Sequence, residues 1–325
     1  MTQPLLEIKS LKVNFNTYYG LANVLDLEHI FIDKGETFGL AGESGSGKSI
    51  TALSIFKLLP CPPGEIESGE ILYYGEDLLK KSEKEMRQIR GKKLSMIFQD
   101  PMSSLNPVFT VGEQIKRVVM YHDKVTGKEA EIRALELFDM VKLPDPQNTM
   151  DKYPHELSGG MRQRVVIAMA LSCGAEFLIA DEPTRALDVT IQAGVLELIK
   201  DIKKETDLTI LFIANSLGLI SQMCERVGLL YAGQIVETGR VGDVFRNPVH
   251  PYTIALLEAV PKPSQKGKPL AVTGGFPPDP INMPKGCRFN PRCSKATELC
   301  ANERPEMKEI EEGHWVACHH QGERE

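Results

Sequence analysis

At 325 residues with 42% apolar side chains, the chain is long for one domain, comfortable for two, and rich enough in apolar residues to build a substantial core. Its formal charge of −6 leaves no excess of lysine and arginine for a nucleic-acid backbone, so such a role would need a local basic patch. No apolar run approaches the roughly 18 residues that cross a bilayer, and the amino terminus lacks the basic and apolar blocks of a signal peptide, so a cytoplasmic protein is expected, with any membrane role coming through partners.

Residues 5–42 alternate strand-like segments, LEIKSLKV, VLDLEHIFI and TFGLAG. The last runs into GESGSGKS, Gly42 to Ser49, and then into the helix-like ITALSIFKLL. This is a complete P-loop, GxxxxGKS, between the strand and the helix that the motif requires. Gly42, Gly45 and Gly47 let the backbone turn tightly with its amide hydrogens inward. Together with Ser44, Ser46 and Ile50 the loop forms a cradle for nucleotide phosphates at the positive end of the following helix. Lys48 would reach the β and γ phosphates, and Ser49 offers a hydroxyl to Mg²⁺. A glycine-rich turn that binds nothing is the plainer reading, and the lysine and serine in place argue against it.

Further strands are expected at SGEILYYG and LSMIFQD. The basic stretch Lys80 to Lys93 is broken by Glu83 and Glu85 and reads as a solvated face. Between Val111 and Met140 apolar residues fall three and four apart, so helical material is inserted into an α/β frame. Strands return at EFLIADEP and LTILFIA on either side of the helix-like VTIQAGVLELIKDIKKE, the alternation of a parallel core, and RVGLLYAGQIVETG reads as a hairpin. After Arg246 the composition shifts to proline, glycine and cysteine, with eleven prolines from Pro248 to Pro305. The division expected is therefore 1–246 with a helical part at about 100–172, followed by a loop-rich module at 247–325.

LSGGMRQR, Leu157 to Arg164, precedes the apolar run FLIADE, Phe177 to Glu182. With the P-loop, these motifs make the chain resemble the ABC-type ATPases. The resemblance implies an α/β P-loop fold: a RecA-like core, an antiparallel β subdomain and a helical subdomain. It also implies a dimer that sandwiches two ATP molecules, in which Leu157, Ser158, Gly159, Gly160 and Gln163 face the γ phosphate held by the opposite subunit. A serine capping a helix after a glycine turn is the plainer reading of the same residues. By resemblance, Asp181 joins Ser49 and Gln99 around Mg²⁺, and Glu182 is the general base. Gln99 in IFQDPMSSLNP matches the glutamine loop, with Pro101 and Pro107 stiffening it. Asp188 in RALD matches the loop that couples the two sites, although Arg185 stands where close relatives usually carry a small residue. Tyr19 lies at the spacing of the ring that stacks on adenine, with Tyr18 a rival and ordinary packing an equal alternative.

One landmark departs from the family. Relatives carry a histidine two residues before the Leu-Gly step in LFIANSLGLI, where this chain has Asn215. Asparagine donates a hydrogen bond but cannot carry a proton, and losing one positioned group from a phosphoryl-transfer site costs about 10² to 10⁴ in rate. The site on this chain's own P-loop is expected to bind ATP and to hydrolyse it poorly. The residue also fits a slow but working enzyme, or an engineered change that traps ATP.

NPVHPYTIALL at Asn247 to Leu257, followed by GCRFNPRC, resembles the carboxy-terminal region of the ATP-binding subunits of oligopeptide and dipeptide importers. Cys287, Cys293, Cys300 and Cys318 are separated by five, six and seventeen residues. Four clustered cysteines in a cytosolic chain point to metal more than to disulfides, and the pattern leaves zinc and iron–sulfur both open. The resemblance implies a 4Fe-4S cluster bound by these four residues, acting as a structural staple. Cys61, Cys173 and Cys224 are scattered and read as packing residues; His314, His319 and His320 flank the fourth cysteine. The function implied is the energy-coupling subunit of a peptide importer at the cytoplasmic face of the membrane. Its partners would be a second ATPase subunit (a different chain or a second copy), two permeases and an extracytoplasmic binding protein, with no nucleic acid. The alternative is a soluble ABC-type ATPase acting on nucleic acid or ribosomes; such proteins usually carry two nucleotide domains or long coiled-coil inserts, and neither is seen here. The transported compound is not legible, since related systems also carry sugars or nickel.

Overall fold

The computed structural model describes residues 3–185, 187–261 and 273–321. The chain forms two compact units: residues 1–32, 37–79 and 213–325 make the first, and residues 33–36 and 80–212 the second.

The first unit opens with β1 (Leu6–Thr17), β2 (Gly20–Ile32), β3 (Thr37–Ala41), α1 (Lys48–Ile55), β4 (Gly64–Tyr73) and β5 (Glu76–Asp77). Four of these strands form an antiparallel sheet in the order β2-β1-β4-β5. On β1, Leu6, Ile8, Leu11 and Val13 are buried, and a register shift between Lys9 and Lys12 keeps the apolar set on one face across the change of phase.

The second unit contains α2 (Glu83–Ile89), β6 (Leu94–Ile97), α3 (Pro101–Ser104), α4 (Val111–Asp123), α5 (Gly127–Met140), α6 (Pro146–Met150), α7 (Gly159–Leu171), β7 (Phe177–Asp181), α8 (Val189–Thr206) and β8 (Thr209–Ala214), which ends across the boundary. The strands lie in the order β8-β7-β6, with β6 and β7 parallel. Every residue of β7 and β8 is buried, the continuous apolar pattern of strands covered on both faces. The helices begin where polar side chains take up free amide hydrogens: Thr110 caps α4, Thr126 and Glu129 make a reciprocal capping box on α5, and Asp188 caps α8. On α4, Val111, Ile115 and Val119 recur every four residues and point to the interior.

The chain then returns to the first unit with α9 (Leu217–Met223), β9 (Arg226–Tyr231), β10 (Gln234–Arg240), α10 (Val241–Arg246), α11 (Pro251–Glu258), α12 (Glu298–Asn302), β11 (Lys308–Glu311) and β12 (His314–Val316). Strand β9 runs parallel to β3, and β10 folds back on β9 through Ala232 and Gly233, both at positive φ as a tight hairpin turn requires. Beyond β10 the tail adds the hairpin β11-β12, with Thr238 facing Trp315. The described part of the tail clusters with the P-loop in one compact unit and extends its strands. Among the described residues no helix is long and apolar enough to cross a membrane.

Candidate functional site

The P-loop leaves β3 and enters α1 with Gly47 as its cap. Gly42, at φ 157°, has no room for a side chain, because a Cβ there would run into the carbonyl of Leu230. Lys48 is only 5% exposed and curls back on its own loop, donating to the carbonyls of Gly42 (2.9 Å) and Glu43 (2.8 Å) and lying 3.4 Å from the Ser46 hydroxyl. Ser44, Gly45 and Ser49 are exposed, Ser46 is buried and Ile50 half-buried, so one side of the loop faces outward. Tyr18 and Tyr19 occupy the turn between β1 and β2, 97% and 84% exposed, with ring centroids 5.4 Å apart. Asn215 is exposed and directly follows β8.

In the second unit, Gln99 is half-buried just after β6, and Asp181, buried, ends β7. Glu182 follows at φ 45°, a conformation strained for a residue with a side chain. Its carboxylate accepts from Arg185 at 3.2 Å, so the arginine that stands out in the motif lies against the expected general base. Within this unit Gln99 and Asp181 offer hard oxygen donors, the chemistry that Mg²⁺ takes.

Ser158 is exposed and caps α7 by accepting from the Met161 amide. Gly160 fits closely against Ile191, since a Cβ would come within 2.6 Å of its Cγ2. Leu157 is buried, Gly159 half-buried and Asp188 exposed. Gln163 is placed differently from Ser158: it is 2% exposed, on the inward face of α7. Also in this unit, a largely apolar groove of about 480 Å³ runs between the segment after β6 and helices α4 and α7, lined by Met96, Phe98, Val118, Val166 and Met169.

The tail brings its four cysteines together. All are free thiols, and Cys318 lies near enough to Cys287, Cys293 and Cys300 that a negative charge on any of them would disfavour its own ionisation. Burial pushes the thiols of Cys287 and Cys293 up and that of Cys318 to about 11. Backbone amides nonetheless point at the sulfurs: those of Phe289 and Asn290 at Cys287, that of Lys295 at Cys293, and that of His320 at Cys318 (3.4 Å). His320 Nε2 lies 3.6 Å from the Cys300 sulfur. Among the described residues, no group of three or more histidines, cysteines or carboxylates is arranged around a common point as metal ligands. The donor chemistry fits a soft metal or cluster, whose positive charge would offset the cost of burying thiolates.

Sequence reasoning did not find what ties this tail down. Glu237 on β10 is fully buried and accepts from the amides of Val249 (3.0 Å) and His250 (2.9 Å), with His314 Nε2 at 2.8 Å. His250 caps α11 through Nδ1, and burial pushes its pKa down to about 4, so the ring is neutral. Tyr252 and Arg292 both reach Glu43 in the P-loop. The only sequence signal was HisProTyr at a helix start, with proline at its first position.

Residues 28–185 match the family model described as ABC transporter, and residues 236–300 the one described as oligopeptide/dipeptide transporter, C-terminal region. The chain is 49% identical to the oligopeptide transport ATP-binding protein OppD of Bacillus subtilis (strain 168), over 96% of this chain and 87% of that one. It is 44% identical to the dipeptide transport ATP-binding protein DppD of the same organism, over 99% and 96%. The solved dimeric structure of MJ0796, a bacterial ABC transporter cassette, aligns with a TM-score of 0.65 at 26% identity, over 73% of this chain and 98% of that one.

Proposed function

The chain belongs to the ABC transporter family, with the carboxy-terminal region of its oligopeptide and dipeptide transporters, and we propose that it is the energy-coupling ATPase subunit of a peptide importer. The fold is the ABC cassette, an α/β core with an antiparallel sheet and a helical subdomain. The observation that carries the reading is the presence in one chain of a P-loop at Gly42–Ser49, with Lys48 folded back on its carbonyls, and of an exposed, serine-capped helix end at Ser158. The first serves this chain's nucleotide; the second is an anion-binding surface for the nucleotide of a partner subunit.

In that dimer the amides of the loop and Lys48 would hold the phosphates, and Ser49, Gln99 and Asp181 would hold Mg²⁺, whose charge would offset that of the phosphates. Glu182 orients and deprotonates the attacking water, with Asp188 at the coupling loop and Tyr19 stacking on adenine. Asn215 cannot carry a proton, and Arg185 already engages the Glu182 carboxylate. Both features support a hydrolytically weak site on this chain, and hence a second ATPase chain of different sequence that supplies the working P-loop. The apolar groove beside Phe98 and Met169 suits an apolar loop of a permease, which would hold the chain at the inner membrane face. An extracytoplasmic binding protein completes the assembly. Purification from membranes tests this: permeases and a second ATPase should co-elute, whereas recovery with ribosomes or nucleic acid would favour the soluble ABC-type alternative.

Cys287, Cys293, Cys300 and Cys318 would hold a 4Fe-4S cluster, with zinc as the alternative; the cluster staples the tail and takes no part in hydrolysis. Anaerobically purified protein should be brown, with about four irons per chain. Colourless protein containing zinc would overturn the cluster. Cys293→Ser should release the metal and open the region after Arg246 to protease while ATP binding persists.

A further inference from the structure

Glu43, the second residue of the P-loop, is gripped at three points. Its amide hydrogen goes to the Tyr252 hydroxyl (2.8 Å) and its carbonyl accepts from Lys48 (2.8 Å). Its carboxylate receives both prongs of the Arg292 guanidinium, Nη1 to Oε2 at 2.8 Å and Nη2 to Oε1 at 3.0 Å. Arg292 is itself fixed. Its side chain is 6% exposed, its Nε donates to the carbonyl of Gly274 (3.0 Å), and Nη1 also lies 3.3 Å from the Tyr231 hydroxyl. Tyr252 is fully buried and packs with Tyr231 and Phe289, ring centroids 4.7 and 5.5 Å away. Two of the three grips on Glu43 therefore come from the carboxy-terminal tail. The same tail also walls the outside of the loop, since Pro277, Pro280 and Met283 line a cavity of about 90 Å³ shared with Glu43, Gly45 and Ser46.

A phosphate cradle works only if its amide hydrogens already converge when the nucleotide arrives; a loop that must be ordered on binding loses affinity by the entropy of ordering. A carboxylate on that loop would also repel the nucleotide unless its charge were neutralised, and a two-pronged guanidinium does both jobs with fixed geometry. We propose that Arg292 and Tyr252 are positioning residues of the nucleotide site, through which the carboxy-terminal tail sets the affinity of the P-loop for MgATP. This rests on the reading of Gly42–Ser49 as the ATP site.

The test is titration of the full-length chain with a fluorescent ATP analogue in Mg²⁺. Lys48→Ala should weaken binding whatever the tail does, and unchanged affinity in that variant would remove the reading of the loop and the proposal with it. Arg292→Ala should weaken binding roughly tenfold. Arg292→Lys, which keeps the charge without the fork, should fall between. Tyr252→Phe removes only the hydroxyl that holds the Glu43 amide and should lower affinity a few-fold. The double variant should lose less than the product of the two single effects, because both act on Glu43. Partial rescue by Arg292→Lys, with the circular dichroism spectrum of each variant unchanged, is a result that a general loss of folded protein would not give. If Lys48→Ala weakens binding while Arg292→Ala and Tyr252→Phe bind like the unaltered chain, the tail does not position the loop and the proposal fails.

Discussion

The P-loop and the Ser158 helix end, the two anion-binding surfaces proposed above, are built in opposite ways. The P-loop is braced from outside: Lys48 is buried within it, and Arg292 and Tyr252 hold Glu43. Among the described residues the Ser158 end is hydrogen-bonded only from within its own segment, by the serine cap on the Met161 amide and by Arg162 on the Leu157 carbonyl, and Asp188 and Val189 are exposed, Val189 at 84%. A surface that binds its own ligand is organised by its own chain; a surface meant for a partner's ligand stays open until the partner supplies the rest. Braced residues should therefore govern affinity in the isolated chain, and the bare helix end should matter only in the assembly.

The largest effect expected tests the bare side. Ser158→Arg should abolish most turnover by the assembled transporter, a loss of about 10² or more as for other preorganised anion-stabilising donors. Glu182→Gln should reduce it little, since Asn215 already weakens that site, and Asn215→His should raise turnover. A steady-state ATPase assay that ranked Glu182 as essential and Ser158 as dispensable would leave Asn215 as a tolerated substitution and break the contrast.

The braced side can be weakened by acid. His250 has a folded pKa of about 4 against the ordinary histidine value of 6.5, so between those values the unfolded chain binds the extra proton and the folded chain does not. This contribution is complete above about pH 6.5 and is lost as pH falls toward 4, up to about 3 kcal/mol in all. Urea melts at pH 7 and pH 5 should show it. His250→Asn, which keeps a side-chain acceptor for the Tyr252 amide, should flatten that part of the pH profile; an unchanged profile would place the acid sensitivity elsewhere.

A smaller effect sharpens the comparison from inside the loop. Lys48→Ala should cost the isolated chain about 1.5 to 3 kcal/mol of ATP affinity, the value of a hydrogen bond to a charged group. Ser158→Arg should leave that affinity intact when both are measured by direct titration without partners.

What the sequence determined by itself is what local backbone chemistry encodes. The cradle at Gly42–Ser49 needs glycines at fixed offsets followed at once by lysine, serine and a helix, and the Ser158 cap needs only the next three residues, so both were legible as written. Strands β7 and β8 were legible because burial on both faces leaves an unbroken apolar run. Helical rotation already separates Ser158 from Gln163: five residues at 3.6 per turn carry the glutamine well round the helix, which is why naming the motif did not place it at the exposed end. Only the tertiary structure decided the rest. Arg292 meets Glu43 across 249 positions and His314 meets Glu237 across 77, pairings that no local pattern announces. They exist because the tail joins the P-loop's own unit, where the buried Glu237 and the half-buried Glu43 find donors wherever the fold brings them.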